Sequence, residues 1–299
     1  MNDFVVPDVT ELMTKGFIKV KGFVSPAELE VLKKEYYNQL SIAQNTENYA
    51  GVSGNTNIIK SDVHNILKDK VEALNRIIYE NTDIKIDWFI RSFCNMFDTQ
   101  RIANPWHTDH EPYYIWQNSY NIIAYWVPII KPHIDKSNLV FFPRNKMPGD
   151  LDKRTKTIGA QYCHVLEGNK TSYWECESDI KETWDFNIED YAELVEVEPG
   201  DVIVFRDDTI HRSQDLGKHS MGDPEFRVAM AFRCIATNSV ITKEQLLHAS
   251  PMRQEKIDNP TTSISKMYTT MLNAFNAKGV DKMTIREFFD YEIARSKLQ

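Results

Sequence analysis

Cysteine is scarce in this chain: Cys94, Cys163, Cys176 and Cys234 are the only four among 299 residues. None sits in a CxxC pair, which excludes a disulfide scaffold and gives no structural zinc pattern. Long apolar runs are also missing, so no segment reads as a membrane span. The opening Met1-Asn2-Asp3-Phe4 lacks the basic stretch ahead of an apolar one that marks a secretory leader. A reducing, cytoplasmic setting is the expectation. Positive charge is in deficit, with 35 Lys and Arg against 43 Asp and Glu and a formal net charge of -8. That balance argues against a broad nucleic-acid footprint; the short basic cluster from Lys153 to Lys156 follows Asp150 and Asp152 and reads as a solvated loop. No internal repeat and no linker-like break in composition divides the chain, so residues 1–299 are expected to form a single domain.

What the chain does have is apolar and aromatic material for a large core: 42% hydrophobic residues, including fifteen Phe, thirteen Tyr and six Trp. The number of aromatics alone does not choose between a β-rich core and a ligand pocket. Gly16-Phe17-Ile18-Lys19-Val20 reads as a short strand leading toward a helix. Ser25 can cap that helix, Pro26 suits its first position, and Glu28 completes a capping box. Leu29, Leu32, Tyr36, Tyr37 and Leu40 then recur at helical spacing. Residues 45–57 read as a loop, and a second helix is expected from Val63 to Tyr79.

From Ile84 the pattern changes to alternation, through Ile86, Trp88 and Ile90. Further strands are expected at Arg91–Phe97, Ser119–Val127, Asn138–Phe142, Leu194–Val197, Asp201–Phe205 and Phe226–Cys234. Pro105, Pro128, Pro143 and the Glu198-Pro199-Gly200-Asp201 turn serve as punctuation. Many short strands without regular intervening helices favour a barrel or sandwich with flanking helices, mainly β, over a doubly wound sheet. The barrel core is expected over about residues 84–235. An insertion from 144 to 190 sustains no clear period and reads either as a surface excursion or as a lid. A helical region over 240–299 is announced by the pairs Thr242 with Gln245 and Thr284 with Glu287.

The densest chemical signal is Asn104-Pro105-Trp106-His107-Thr108-Asp109-His110. On an extended chain His107 and Asp109 share one face. An imidazole and a carboxylate then point into one space, and a second imidazole would complete three ligands on one side of an octahedral iron, leaving the other side open. Alone, an HxD triplet is a weak signal, since it also describes a surface histidine beside a turn aspartate. A second segment adds weight: Pro199-Gly200-Asp201 and an apolar strand lead past Asp207 and Asp208 to His211-Arg212-Ser213. Phe226-Arg227 follows at the start of another apolar strand. His64, His133, His164, His219 and His248 have no comparable grouping.

These pieces, together with Gly16 to Phe23, resemble in order the phytanoyl-CoA dioxygenase family of iron(II)- and 2-oxoglutarate-dependent oxygenases, across residues 11 to 235. The resemblance implies a double-stranded β-helix, a jelly-roll or cupin-like barrel. It implies His107, Asp109 and His211 as iron ligands, and Arg227 with Ser213 as the 2-oxoglutarate site, O2 being the other co-substrate. Alternation gives Arg233 the same face as Arg227, so the residues alone leave both arginines open; the resemblance favours Arg227. The segment after Phe142 reads Pro143-Arg144-Asn145-Lys146 where the family commonly has a glycine-serine-histidine turn, so the substrate class does not carry over.

The implied activity is hydroxylation of a small molecule in specialised metabolism. Desaturation, ring formation or an inactive barrel that only binds are the alternatives. His110, Tyr113, Tyr114, Trp116 and Gln117 are candidates for the substrate wall. No nucleic-acid or membrane partner is expected, and nothing in the sequence sets an oligomeric state.

Overall fold

A computed structural model describes residues 4–44, 62–98, 105–109, 115–116, 122–147, 161–175, 180–214, 227–247 and 263–296. Fourteen described strands carry the architecture. They are β1 (Phe17–Val20), β2 (Trp88–Asp98), β3 (Ile115–Trp116), β4 (Ile122–Ile130), β5 (Leu139–Phe141), β6 (Gln161–Val165) and β7 (Thr171–Glu175). The rest are β8 (Ile180–Trp184), β9 (Glu193–Val195), β10 (Val202–Arg206), β11 (His211–Ser213), β12 (Val228–Ile235), β13 (Val240–Thr242) and β14 (Lys282–Thr284). The described helices are α1 (Glu11–Thr14), α2 (Pro26–Gln44), α3 (Asp62–Asn81), α4 (Lys243–Leu247), α5 (Ser263–Lys278) and α6 (Ile285–Ser296).

The major sheet is antiparallel in the order β1-β10-β4-β12-β2, and the minor sheet runs β11-β5-β9. Side-chain alternation sorts the residues of the major sheet onto two faces. Ile18, Ile123, Tyr125, Val127, Val204, Met230 and Phe232 pack outward against Leu29, Leu32 and Tyr36 of α2 and Leu67, Val71, Leu74 and Ile78 of α3. Phe17, Ala124, Trp126, Ile203, Phe205 and Ala229 point inward and meet Leu139, Phe141 and Val195 of the minor sheet. Phe17 stacks on Phe141 across that interior, with ring centroids 4.4 Å apart. Two sheets thus face one another over a closed apolar core, as in a jelly-roll barrel. Burial on both faces explains why β4 reads as a continuous apolar run rather than a clean alternation.

The helices are placed by local signals. Ser25 and Glu28 form the expected capping box at α2: Ser25 N donates to Glu28 Oε2 at 2.7 Å, and Glu28 N to Ser25 Oγ at 3.4 Å. Thr284 and Glu287 do the same at α6. α3 is tied to the sheet by a buried hydrogen bond of 2.5 Å from the Tyr125 hydroxyl to Asn75 Oδ1. No described helix is long and apolar enough to cross a membrane.

Three expectations about the strands need revision. Ile84 and Ile86 are buried, but they precede the strand, because the ladder begins only where Trp88 finds Ile235. The two strands expected on either side of Ile90 are one strand, β2. β4 does not stop at Pro128 but runs on to Ile130; Pro128 sits where the pairing with β12 shifts register, a place where its missing N–H costs no ladder bond.

The described part of the 144–190 segment is not structureless. It holds an antiparallel sheet, β6-β7-β8, whose Trp184, with Phe186 and Ile188, packs on Val140 and Phe142. Those two residues face away from the barrel interior, so this part buttresses the back of the minor sheet rather than covering its mouth. The C-terminal region also contains strands: β13 pairs with β14 and β3, beneath a cluster joining Ile122 and Ile235 to α4, α5 and α6. The loop expected at 45–57 and the basic cluster at 153–156 lie outside the described residues.

Candidate metal centre

The two histidine-bearing segments meet as an antiparallel bridge. His107 N donates to the His211 carbonyl, and His211 N to the His107 carbonyl, both at 2.9 Å. Direct pairing puts the two rings side by side, with centroids 4.4 Å apart. Asp109 follows two residues later on the same face, and its Oδ1 lies 3.8 Å from His211 Nε2. One ligand atom from each of His107, Asp109 and His211 lies within 4.8 Å of the others. Phe141 and Phe205 flank His211 and close the apolar side.

Each imidazole is oriented from behind. His107 Nδ1 lies 2.7 Å from the Pro105 carbonyl, and His211 Nδ1 lies 2.9 Å from the Thr209 carbonyl. A carbonyl can only accept, so in the neutral ring Nδ1 carries the proton and Nε2 keeps its lone pair for the site. His211 is kept neutral at ordinary pH: burial, reinforced by the neighbouring His107, lowers its pKa to about 4. Two imidazoles whose Nε2 atoms face a carboxylate suit a divalent first-row metal with open positions.

The turn between β10 and β11 sets the height of His211. Arg206 is fully buried and holds Asp208 through Nε at 3.0 Å and NH2 at 2.7 Å, while Arg144 grips the same carboxylate from the other side. Thr209 Oγ1 donates to the Gly16 carbonyl at 3.0 Å, so the start of β1 braces the turn. Gly16 has φ +91°, and a Cβ there would lie 2.4 Å from Thr209 Oγ1. Only glycine fits that approach.

Arg233 emerges as a site residue, though the sequence offered it only as a rival to Arg227. Its NH2 donates to Asp109 Oδ2 at 2.5 Å, and its Nε lies 3.5 Å from Asp207 Oδ1. Arg227 lies at the other end of the same inner face, almost wholly buried, with its guanidinium 5.0 Å from the Trp126 ring centroid. Between the two arginines this face carries only Ala229 and Ala231. Alternation revealed the shared face but could not measure which arginine reaches the carboxylate.

Ser213 lies on β11, two residues beyond His211 and paired with Leu139. Of the candidates for the substrate wall, His110, Tyr113, Tyr114 and Gln117 lie outside the described residues. Trp116 is described only in backbone, paired with Val240. Glu189 was not anticipated at all: it accepts from Trp106 Nε1 at 2.7 Å and also binds Arg212. Its only advance signal was an acidic residue inside a segment without a clear period.

Comparison with solved structures gives the same architecture. The carbocyclase SnoK, described as non-heme and alpha-ketoglutarate-dependent, from nogalamycin biosynthesis, aligns with a TM-score of 0.51 at 12% identity, covering 79% of this chain and 86% of that one. EvdO2 from Micromonospora carbonacea var. aurantiaca aligns with a TM-score of 0.51 at 13% identity, covering 79% and 94%. EctD from S. alaskensis, solved with bound Fe, aligns with a TM-score of 0.50 at 13% identity, covering 81% and 80%. At these identities the likeness concerns the fold. Comparison with curated proteins finds no match. The sequence itself matches the family described as phytanoyl-CoA dioxygenase (PhyH) over residues 12–217, a span that takes in β1, the His107 segment, the minor sheet and His211, while β12 of the major sheet lies beyond it. A match over more than half of its length places this chain in the phytanoyl-CoA dioxygenase family.

Proposed function

We infer that the chain is an iron(II)- and 2-oxoglutarate-dependent oxygenase acting on a small molecule, with His107, Asp109 and His211 as the iron ligands. The observation that carries this reading is the convergence of those three side chains inside a barrel of the phytanoyl-CoA dioxygenase family. When bound, iron with 2-oxoglutarate and O2 supplies the power to oxidise a C–H bond, with succinate and CO2 as by-products.

The protein's own share is binding and orientation. His107 and His211 turn their Nε2 atoms to the site because their Nδ1 atoms face backbone carbonyls, which can only accept. Arg233 engages Asp109 Oδ2 and so turns Oδ1 toward the histidines. Arg227 is assigned the distal carboxylate of 2-oxoglutarate, with Ser213 as a second contact. Its planar fork suits a carboxylate, and the alanines between it and Arg233 leave the inner face shallow. Arg233, engaged by two carboxylates, is the poorer candidate for that anchor. Phe141 and Phe205 keep water from the inner side of His211.

Hydroxylation is the assigned outcome, with a substrate from specialised metabolism; a cytoplasmic setting belongs to the same reading and accords with the free, buried thiol of Cys234. Adding iron(II) and 2-oxoglutarate without air should produce a weak visible charge-transfer band that is absent from His107→Ala and His211→Ala. An unchanged band in both variants would remove the ligand assignment. Succinate release stimulated by one compound of a metabolite panel, followed by mass analysis of that compound, would identify the substrate and distinguish hydroxylation from desaturation or ring closure.

A further inference from the structure

The bridge that joins His107 to His211 has a second side. Their immediate neighbours, Trp106 and Arg212, project to the opposite face, where both meet Glu189. Trp106 Nε1 donates to Glu189 Oε1 at 2.7 Å. Arg212 donates through Nε to Oε1 at 3.1 Å and through NH2 to Oε2 at 2.8 Å, a two-point pairing. The Arg212 guanidinium also lies 5.0 Å from the Trp106 ring centroid, so the three side chains touch one another.

Glu189 is itself fixed. It lies in a 3-10 turn (Ile188–Tyr191) whose Ile188 N–H donates to the buried Thr171 Oγ1 at 2.8 Å, while Glu189 N donates to Asn187 Oδ1 at 3.0 Å. Beneath it, Trp106 packs with Val140, Phe142, Trp184, Ile188 and Ile210. Exposed ion pairs usually contribute little. This one differs because Trp106 is only 4% exposed, so its indole N–H depends on the carboxylate.

We propose that Glu189 is a positioning residue for the metal centre, a staple that fixes the spacing and tilt of His107 and His211 through the residue beside each. This rests on the reading of those histidines as metal ligands. His211 is laddered to β5 on its other side, but the His107 segment meets it through an isolated bridge, so the bridge alone leaves that segment free to pivot. The staple on the outer face removes that freedom. It also gives the 144–190 segment a function: its sheet carries the turn that carries Glu189.

The test uses the full-length protein, with Mn(II) as the probe and its free concentration read by electron paramagnetic resonance. Glu189→Ala is expected to weaken Mn(II) binding about tenfold or more, as loss of the groups that orient metal ligands commonly does. In metal-free protein it should speed amide exchange at His107 and His211 while leaving β4 and β12 protected. A residue that only supported the fold would raise exchange across both sheets alike. Glu189→Gln retains an acceptor for the Trp106 indole and should recover part of the affinity. His211→Ala serves as the reference and should abolish binding. If His211→Ala binds Mn(II) like the parent, the ligand reading falls and the staple with it. If His211→Ala loses the metal while Glu189→Ala keeps both its affinity and its slow exchange, the staple alone is overturned.

Discussion

Replacing Arg233 by methionine keeps most of the side chain's bulk and removes its charge, leaving Asp109 and Asp207 without that cation. The Arg233 and Asp109 side chains are only 10% and 12% exposed, and Asp207 is fully buried. At an effective dielectric of about 20, an ion pair at about 4 Å is worth about 4 kcal/mol. Losing the guanidinium also removes its own cost of burial, so the net loss is about 3 kcal/mol, the low end for breaking a buried pair. For a chain of this size that corresponds to a melting temperature lower by roughly 5 °C. A divalent cation at the neighbouring Nε2 atoms would return a counter-charge to Asp109 but not to Asp207. Mn(II) should therefore raise the melting temperature of Arg233→Met more than that of the parent, without restoring it fully. Thermal unfolding followed by near-ultraviolet circular dichroism, with and without Mn(II), measures both effects. A metal-free variant that melts with the parent, or an equal gain from Mn(II) in both proteins, would refute the pairing argument.

Other expectations can be checked alongside it. Arg227→Lys keeps the charge but loses the planar fork, so 2-oxoglutarate affinity should fall by roughly 1–2 kcal/mol while Mn(II) affinity stays level; calorimetric titration separates the two. Gly16→Ala combines a positive φ, costing roughly 1–2 kcal/mol, with crowding against Thr209 Oγ1. Gly168→Ala, at φ +79° with open space around it, bears the backbone cost alone, so urea unfolding should rank Gly16→Ala clearly lower. Ser25→Ala removes the α2 cap and should cost about 1 kcal/mol in denaturant melts. Burial would raise the Glu28 pKa, but the bonds from Ser25 N and Oγ and the nearby Lys70 outweigh it and hold it below the usual value. A depressed carboxylate stabilises fully above its unfolded pKa and loses that contribution as pH falls through the folded one. The gap between Ser25→Ala and the parent should therefore narrow in acid; a gap independent of pH would exclude that origin.

Much of the site was visible in the sequence because its parts obey short-range rules. His107 and Asp109 lie two apart, and a strand puts such residues on one face. His211 follows a turn and an apolar strand, and family resemblance supplied its pairing with the other two. What stayed hidden depends on distance. Arg227 and Arg233 share a face by parity, yet only the fold shows that Arg233 reaches Asp109. Pro128 looked like a stop because its missing N–H forbids regular pairing, but a register shift between β4 and β12 accommodates it. Within the insertion, Trp184 packs against the minor sheet, a partner that no local pattern announces. Glu189 carries no local signal, since its meaning lies in Trp106 and Arg212, which the chain brings to it from both directions.

The order of strands in the major sheet has a bearing on how the molecule assembles. β1 pairs with β10, so Phe17 must wait for Phe205, and β2 waits for β12, so Trp88 must wait for Ile235. As the chain emerges from a ribosome, α2 and α3 have apolar faces to cover and only unpaired early strands to cover them with. Pairings between residues so distant in sequence are slow, because loop closure must precede any gain from contact. β4 lies between β10 and β12 and can serve as the template on which both close. The His107, Asp109 and His211 cluster then forms late, since His211 follows β10 and Arg233 lies within β12. A nascent chain halted before residue 200 would hold His107 and Asp109 without His211 or Arg233, and an open sheet edge prone to aggregation.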